Sequence, residues 1–433
     1  MAAKSGGLTT EQKYEKYVNT SFVKKIQPVV VDTAKGTWIT AADGKRYLDC
    51  FAGISVVNAG HCNEEVVSAA KAQMDKVVHM CSYVYYNEPM ADLAEKFAEI
   101  TPGRLQKSFF SNSGAEAIEG AMRLARQFTK KTGFLALEGS FHGRTNATLS
   151  VTGNSARKKG GGPYMAGVYF APTPYCYRCP FNTTPDKCQR ECATAVERIL
   201  LLHSWKDVAA FIAEPVQGEG GIVAPPEDYF KIVKEILDKE GILFICDEVQ
   251  SGFGRTGKMF AIEHYGVEPD ILTSAKGIAD GFPLACFIAR PDVADSFTPG
   301  DHLSTFGGNP ISCAASLANI EVFEKTKLAE QSAKKGEFVM AKLRELADKH
   351  PLIGDVRGKG LMVGIELVKD RKTKEPAAAE AGKVQDLMRD AGVLIGVGGT
   401  YGNVIRFQPP LIISEDELTQ AVEALGKALS QAV

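Results

Sequence analysis

Short apolar runs alternate with helical patterns through the middle of the chain, between about residues 109 and 289. Apolar runs of strand length that are separated by helix-length segments predict a largely parallel sheet covered by helices. The predicted strands are residues 134–137, 209–213, 242–246, 271–273 and 285–289. The predicted fold class is therefore α/β, with this sheet as the core of a large domain.

The last third of the chain has the pattern of a smaller α+β unit. Residues 361–367 and 403–407 are predicted strands, and Ser414 and Glu417 have the spacing of a capping box at the start of a final helix. The apolar face of that helix is formed by Leu418, Val422, Leu425 and Leu429.

These patterns predict two domains. Residues 66–320 would form the large domain. Residues 321–433 would form the small domain, and the N-terminal segment 1–65 would pack on it.

The composition narrows the classes of protein that fit. The 433 residues are 45% hydrophobic, enough for a sizeable core, and the formal net charge of −2 lacks the basic surface that nucleic-acid binding needs. No apolar run approaches the roughly 18 residues of a membrane span. The first 25 residues contain Glu11 and Glu15 and lack the apolar region of a secretory signal. We therefore expect a cytoplasmic protein that binds neither nucleic acid nor membranes.

Lys276 and Asp247 each follow a predicted strand, where each could perform chemistry. Lys276 has only small or apolar residues within three positions on either side. Such a lysine can have a depressed pKa and form an imine with a carbonyl; a solvated loop lysine is the alternative. Asp247 ends an apolar run, where ligands of parallel sheets bind. The segment 252–258 also matches most of a P-loop, but Met259 replaces the hydroxyl residue that binds Mg²⁺.

Two turns rich in small and hydroxyl residues could bind a phosphate. Ser113, Gly114 and Ala115 precede a helical pattern, so free N–H groups at the start of that helix would form an anion site. Thr305 lies in a second such turn and could contact the same phosphate. A helix cap and an ordinary loop are the alternatives.

An aromatic and basic segment follows the predicted strand 134–137. Phe141, His142 and Arg144 occur here in succession, interrupted only by a glycine. An aromatic ring can stack on a planar ligand, and an arginine can pair with an anion. Structural roles are equally common for each residue taken singly.

Arg406 interrupts an otherwise apolar predicted strand, so its guanidinium needs a carboxylate partner or a ligand. Glu214 and Glu219 lie five residues apart at the end of another strand. Either could be that partner, or both could lie in water.

Four cysteines are closely spaced between residues 175 and 193. Their C-x2-C-x8-C-x3-C spacing could bind zinc or hold an iron–sulfur cluster, although the central gap is shorter than the usual ~15–20 residues of zinc sites. Paired disulfides and free thiols are the other outcomes, depending on redox compartment. The four residues are Cys176, Cys179, Cys188 and Cys192.

Taken together, these segments resemble the class III, fold-type-I pyridoxal-phosphate aminotransferases, in the group that contains 4-aminobutyrate, acetylornithine, ornithine and alanine–glyoxylate transaminases. The resemblance covers most of the chain, from residues 43–49 through 356–361 to Arg406. Spaced segments in one order are more specific than any single motif. The resemblance implies a large cofactor-binding domain with a mostly parallel, seven-stranded type of sheet, and a smaller domain from both chain ends.

The resemblance also implies the cofactor, pyridoxal 5′-phosphate. Lys276 would bond to the cofactor aldehyde and, once displaced by substrate, would carry a proton between substrate and cofactor. Asp247 would keep the ring nitrogen protonated, between Phe141 on one ring face and Val249 on the other. The other cofactor-binding residues would be His142, Gln250, Ser113, Gly114, Ala115 and Thr305, with Thr305 contributed by the second subunit of a homodimer.

The implied reaction passes an amino group from a donor to a 2-oxo acid. Arg406 would bind the α-carboxylate of glutamate or 2-oxoglutarate, Arg144 would bind the distal carboxylate, and Glu219 would pair with Arg406 when the donor has no α-carboxylate. Ile54 and Glu214 would be further substrate-binding residues. We expect transamination of an ω-amino acid, with 4-aminobutyrate as the leading donor and 2-oxoglutarate as acceptor.

Related functions share much of this residue set. The alternatives among enzymes are acetylornithine, ornithine or alanine–glyoxylate transamination, amino-acid racemisation and decarboxylation. A protein of another class would sense a metal or redox state through the cysteine loop. Dimers with shared active sites could also associate into a tetramer.

Overall fold

The computed structural model describes residues 7–20 and 26–432, so part of the predicted N-terminal segment (residues 1–6 and 21–25) lies outside the described residues, as does residue 433. Within the described ranges, no helix is both long and apolar enough to cross a membrane.

The strands are β1 (Val31–Lys35), β2 (Trp38–Ala41), β3 (Arg46–Asp49), β4 (Lys107–Ser111), β5 (Gly133–Leu137), β6 (Val168–Ala171), β7 (Val208–Ala213), β8 (Leu243–Asp247), β9 (Ile271–Ser274), β10 (Ala285–Ala289), β11 (Ile353–Lys359), β12 (Met362–Leu367), β13 (Val393–Leu394), β14 (Gly396–Gly398) and β15 (Val404–Phe407). The helices are α1 (Thr10–Tyr17), α2 (Ala52–Ser55), α3 (Glu64–Met74), α4 (Glu88–Ile100), α5 (Gly114–Thr129), α6 (Asn146–Val151), α7 (Glu191–His203), α8 (Tyr229–Glu240), α9 (Pro291–Ala294), α10 (Pro310–Thr326), α11 (Leu328–Lys349), α12 (Ala378–Asp390) and α13 (Glu415–Ala432).

The central sheet has seven strands in the order β4-β10-β9-β8-β7-β5-β6. The strands from β9 to β6 run parallel, whereas β10 is antiparallel to both of its neighbours. Strands β7 to β10 are buried at every position, because helices cover the sheet, and this burial produces their continuous apolar runs. The predicted α/β class is confirmed, and all five strands predicted for this sheet belong to it.

The remaining strands form two smaller sheets of four strands each. One has the order β1-β2-β3-β13 and the other β11-β12-β15-β14. Strand β13 pairs in parallel with β3, and Glu417 of α13 accepts hydrogen bonds of 2.7 Å from both Thr37 and Trp38. The two ends of the chain therefore contact each other, while the domain boundaries near residues 65 and 320 remain a prediction.

The order of strands in the central sheet positions the site. Parallel strands β5, β7, β8 and β9 all end at the same edge, so the residues that follow them meet there. Helix α5 begins just after β4 and brings its N-terminus to this edge.

Candidate active site

A cavity of about 1240 Å³ opens at the carboxyl edge of the central sheet. Most of the predicted site residues line it, although they come from segments that are far apart in the sequence. They are Ile54, Ser113, Gly114, Ala115, Phe141, His142, Arg144, Glu214, Glu219, Asp247, Val249, Gln250 and Lys276.

Lys276 follows β9 and begins a short 3-10 turn, Lys276–Ile278. Its φ of +49° places it in the left-handed region, which few residues other than glycine adopt. The buried amide of Asn319 holds this turn by donating to the carbonyls of Gly277 (2.9 Å) and Ile278 (3.2 Å). Burial lowers the pKa of Lys276 to about 8, and the positive charge of Arg406 contributes to the decrease, while nearby carboxylates oppose it. The side chain is therefore an amine that can be neutral, and hence nucleophilic, near physiological pH.

Asp247 ends β8 and is 3% exposed. Its Oδ1 accepts a 3.0 Å hydrogen bond from the Val249 N–H, and its Oδ2 lies 2.7 Å from Nδ1 of His142. The backbone N–H of His142 is itself fixed by a 3.1 Å bond to Oγ1 of Thr152. A carboxylate has about four acceptor sites, so Asp247 can still accept a bond from a protonated ring nitrogen in the cavity.

The start of α5 provides the predicted anion site. Ser113 caps this helix by accepting a 3.3 Å bond from the Glu116 N–H, so the capping alternative is also realised. The first N–H groups of a helix have no partner within the helix, and Gly114 and Ala115 supply such groups at the cavity. A Cβ at position 114 would lie 3.0 Å from Cγ1 of Val249, so the absence of a side chain lets the helix approach the site closely.

Arg406 and Glu219 form a buried ion pair. Nη1 of Arg406 lies 2.5 Å from Oε1 of Glu219, and the two residues are 2% and 7% exposed. Oε2 of Glu219 accepts a 3.0 Å bond from Arg157. Burial by itself would raise the pKa of Glu219, but the two arginines outweigh this effect and lower it to about 2. The carboxylate therefore stays ionised at any ordinary pH.

Glu214 has a different environment from Glu219. It lines the cavity, but its two oxygens accept backbone bonds from Phe141 (3.0 Å) and Gly218 (2.8 Å). Burial raises its pKa to about 7, with a contribution from Asp247. These contacts fix two loops of the cavity wall, so of the two carboxylates only Glu219 is the partner of Arg406.

Arg144 and Thr305 are both exposed. Arg144 lines the cavity and is available to an anionic ligand, whereas Thr305 is outside the cavity lining of its own chain. The predicted contribution of Thr305 to a second subunit therefore remains a prediction.

Ile54 reaches the cavity from an unusual turn. Residues 52–55 (α2) all have positive φ, between 49° and 71°. Three of the four are not glycine, and a left-handed conformation costs about 1–2 kcal/mol for each such residue. Asp49 holds the turn by accepting bonds from Phe51 N (2.8 Å) and Ala52 N (2.9 Å), while its second oxygen lies 2.8 Å from Nε2 of His61.

The cysteine loop does not support the predicted zinc or iron–sulfur site. Cys176, Cys179, Cys188 and Cys192 are all free thiols, and the described part of the chain has no group of three or more His, Cys, Asp or Glu side chains that could hold a metal ion. Cys188 instead lies 3.3 Å from Oε2 of Glu191, and burial raises the pKa of Cys192 to about 12. Among the predicted outcomes, this arrangement corresponds to free thiols rather than to disulfides or a metal.

Sequence reasoning missed several residues of the site. Gln408 and Ser55 lie behind the cavity wall, and Arg157 and the segment 19–20 line the cavity. Gln408 directly follows β15, two residues after Arg406, and this spacing is a usable signal because extended backbone places alternate side chains on one side. Arg157 had none, because only the folding of the chain brings it to Glu219.

The chemistry of the site fits pyridoxal phosphate. Lys276 offers an amine for an aldehyde, Asp247 a carboxylate for a protonated ring nitrogen, and Phe141 an aromatic surface. The start of α5 offers N–H groups for a phosphate. These groups line one cavity of sufficient volume for the cofactor and a small substrate.

Comparisons with known proteins agree with this description. A family model described as aminotransferase class-III matches residues 21–429. A leucine/methionine racemase of Thermococcus litoralis is 42% identical over 93% of this chain and 91% of its own. A 5-aminovalerate aminotransferase of Pseudomonas putida is 42% identical over 94% of this chain and 95% of its own. An amine transaminase from an uncultivated Pseudomonas species, solved with pyridoxal phosphate bound, is 34% identical, with a TM-score of 0.91 over 96% of this chain and 99% of that one.

Proposed function

The chain belongs to the class-III aminotransferase family, and from this premise we propose that it transfers the amino group of an ω-amino acid, with 4-aminobutyrate as the leading donor, to 2-oxoglutarate. Pyridoxal phosphate, the cofactor of this enzyme, withdraws electrons from the carbon that carries the amino group when it is bound, which makes a proton on that carbon acidic. The observation that carries the choice of substrate is the buried pair of Glu219 and Arg406 beside an exposed Arg144.

Lys276 provides the amine that binds the cofactor aldehyde and the base that moves the proton. Its pKa of about 8 means that about a tenth of Nζ is unprotonated at pH 7, whereas an ordinary lysine would be almost fully charged. The same Nζ can accept a proton from the substrate carbon and return it, because its pKa lies close to the operating pH.

Asp247 holds the proton on the ring nitrogen. His142 orients the Asp247 carboxylate through the 2.7 Å contact to Oδ2, and the Val249 N–H fixes Oδ1. A preorganised negative charge stabilises the protonated ring without reorganisation during the reaction.

Arg406 and Glu219 would let one pocket take two kinds of substrate. A donor without an α-carboxylate leaves Glu219 on Arg406, so the buried guanidinium stays neutralised. Glutamate or 2-oxoglutarate would supply its own α-carboxylate and displace Glu219, which still has Arg157 as a partner. Without such an exchange, either the guanidinium or a substrate carboxylate would be buried unpaired, at a cost of several kcal/mol.

A homodimer that shares its active sites is part of the proposal. Large apolar side chains are exposed near Thr305, with Leu303 61% and Phe306 60% exposed, and His79 contacts the Phe306 ring. Apolar exposure of this kind favours burial against another subunit. Light scattering should give the dimer mass, and Thr305→Ala should weaken binding of the cofactor if this residue reaches the partner's phosphate site. We also propose a cytoplasmic location, because the ten cysteines are spread over a long chain and lack the dense spacing of a small secreted domain.

A panel of amino donors against three acceptors tests the function. The donors are 4-aminobutyrate, 5-aminovalerate, acetylornithine, ornithine, alanine, leucine and methionine, and the acceptors are 2-oxoglutarate, pyruvate and glyoxylate. We expect the highest kcat/KM for an ω-amino donor with 2-oxoglutarate. A preference for pyruvate or glyoxylate would overturn the choice of acceptor.

Racemisation is the second candidate, because of the similarity to the leucine/methionine racemase. A racemase of α-amino acids has a substrate α-carboxylate in every turnover, so the Glu219–Arg406 pair favours transamination. Chiral analysis of leucine and methionine incubated without a 2-oxo acid would decide between the two activities.

A further inference from the structure

Gln408 is a fully buried amide that lies next to Arg406, the proposed carboxylate-binding arginine, and neither residue is among those that line the cavity. Gln408 directly follows β15, and its Oε1 accepts a 3.2 Å bond from Nε of Arg406, so the two side chains lie together. The backbone N–H of Gln408 donates a 2.8 Å bond to the carbonyl of Cys50, which fixes its position.

The guanidinium of Arg406 has three acceptors of two different kinds. Nη1 bonds to the carboxylate of Glu219, while Nε donates to Oε1 of Gln408 (3.2 Å) and Nη2 to Oε1 of Gln250 (2.7 Å). Only the carboxylate is replaced when a substrate carboxylate arrives. The two neutral amides are therefore the acceptors that remain on the guanidinium during the exchange.

The environment of the arginine stem is also compact. A Cβ on Gly398 would lie 2.9 Å from Cδ of Arg406, and the guanidinium stacks over the Phe51 ring at 5.3 Å. These contacts place the stem but leave the rotation of the guanidinium to its hydrogen bonds. Gln408 alone of the three acceptor residues bonds to Nε, so its loss leaves only Gln250 to orient the guanidinium once Glu219 has moved away.

Gln408 also connects Arg406 to the turn that carries Ile54. Its Nε2 donates 2.7 Å to Oγ of Ser55 and 3.1 Å to Oε1 of Gln250. Ser55 is 1% exposed and is the last residue of the left-handed turn 52–55. The side-chain amide of Gln408 thus contacts both the guanidinium of Arg406 and the turn 52–55, which is distant in the sequence.

We propose that Gln408 is a positioning residue for substrates with an α-carboxylate: it keeps Arg406 oriented when Glu219 leaves and holds the Ile54 turn in register with it. This inference rests on the proposed function, since it gives Gln408 a role only when the bound substrate carries an α-carboxylate. With a donor that has no α-carboxylate, Glu219 itself orients Arg406, so Gln408 matters little. With glutamate or 2-oxoglutarate, only the amides hold the guanidinium in place for capture.

The test compares Gln408→Leu with wild type in the cofactor-loaded enzyme. We expect KM for glutamate and for 2-oxoglutarate to rise about tenfold, the effect of losing one bond to a charged group, while kcat/KM of the 4-aminobutyrate half-reaction stays within about twofold. Binding of glutarate, an unreactive dicarboxylate, should weaken about tenfold by titration calorimetry. Ser55→Ala should give a smaller change in the same direction, because it removes only the contact to the turn.

Gln73→Leu is the matched control. Gln73 is also a buried amide, but it lies in α3, does not line the cavity, and donates to the backbone carbonyl of Val77 just after that helix. It should leave glutarate binding unchanged. If Gln408→Leu lowers expression, Gln408→Glu keeps the shape of the side chain and should also weaken glutarate, because a second carboxylate then competes for Arg406.

Equal losses for 4-aminobutyrate and glutamate, or glutarate binding within twofold of wild type in both Gln408 variants, would overturn the positioning role. Failure of the proposed function would look different. Wild type would then bind glutarate but not transaminate 4-aminobutyrate, and the calorimetric comparison of variants would still decide the role of Gln408.

Discussion

Glu219→Gln removes one charge from the cavity at nearly constant shape. The carboxylate bonds to Arg406 at 2.5 Å through one oxygen and to Arg157 at 3.0 Å through the other, and it is 7% exposed. A neutral amide can still accept a hydrogen bond, but it cannot neutralise the guanidinium. The variant therefore isolates the electrostatic part of the pair.

The size of the effect follows from the charge state of Glu219. Its pKa of about 2, against an ordinary 4.5, corresponds to about 3 kcal/mol of preference for the charged form at 1.36 kcal/mol per pH unit. This lies within the range of about 3–5 kcal/mol for breaking a buried pair. A loss of this size would lower kcat/KM for 4-aminobutyrate roughly 100-fold. Glutamate brings its own carboxylate to Arg406, so its half-reaction should change by less than about threefold.

The assay is a pair of single half-reactions, followed through the absorbance of the cofactor after rapid mixing with 4-aminobutyrate or with glutamate. Glu138→Gln is the control, since Glu138 is an exposed carboxylate just after β5 that does not line the cavity. It should leave both rates unchanged. A Glu219→Gln enzyme that loses activity equally toward both donors, with an unchanged thermal midpoint, would refute the exchange of carboxylates on Arg406.

Four further outcomes are expected. Lys276→Ala should abolish transamination and leave the thermal unfolding midpoint within a few degrees of wild type; near-normal turnover would refute its role. Asp247→Ala should lower kcat by about 10³-fold or more, because the ring nitrogen loses its counter-charge. A variant that keeps most of its activity would contradict the role of Asp247 at the ring nitrogen. Arg144→Gln should raise KM for 2-oxoglutarate about tenfold with little change for alanine, measured by steady-state kinetics. Because burial lowers the pKa of Lys276, the rate at which cofactor-free protein takes up pyridoxal phosphate should rise with pH through about 8 and level off above it; a rise that continues toward pH 10 would contradict this.

The residues that perform the chemistry could be identified from the sequence because they lie beside strongly apolar strands. Asp247 and Lys276 follow β8 and β9, whose complete burial gives a continuous apolar pattern. The edge strand β6 was not identified, since its partly exposed residues at the rim of the sheet lack such a pattern. The spacing of Ser414 and Glu417 predicted the start of α13, and their side chains do bond there.

The partners of those residues could not be identified in the same way. The sequence left Glu214 and Glu219 as equal candidates for Arg406, and only the structure shows that Glu214 is occupied by backbone N–H groups. The cysteine spacing leaves a metal site, disulfides and free thiols open, because spacing along a chain does not fix where thiols point; the described residues contain no group of three or more side chains that could hold a metal ion.

The sequence by itself determined the α/β class, the strands of the central sheet and which residue types stand at their ends, because burial and periodicity are local properties of the chain. Only the tertiary structure decided which charges meet. Arg406 lies 187 residues from Glu219 and 156 from Gln250, and it joins them because strand order, rather than sequence distance, brings these segments to one cavity.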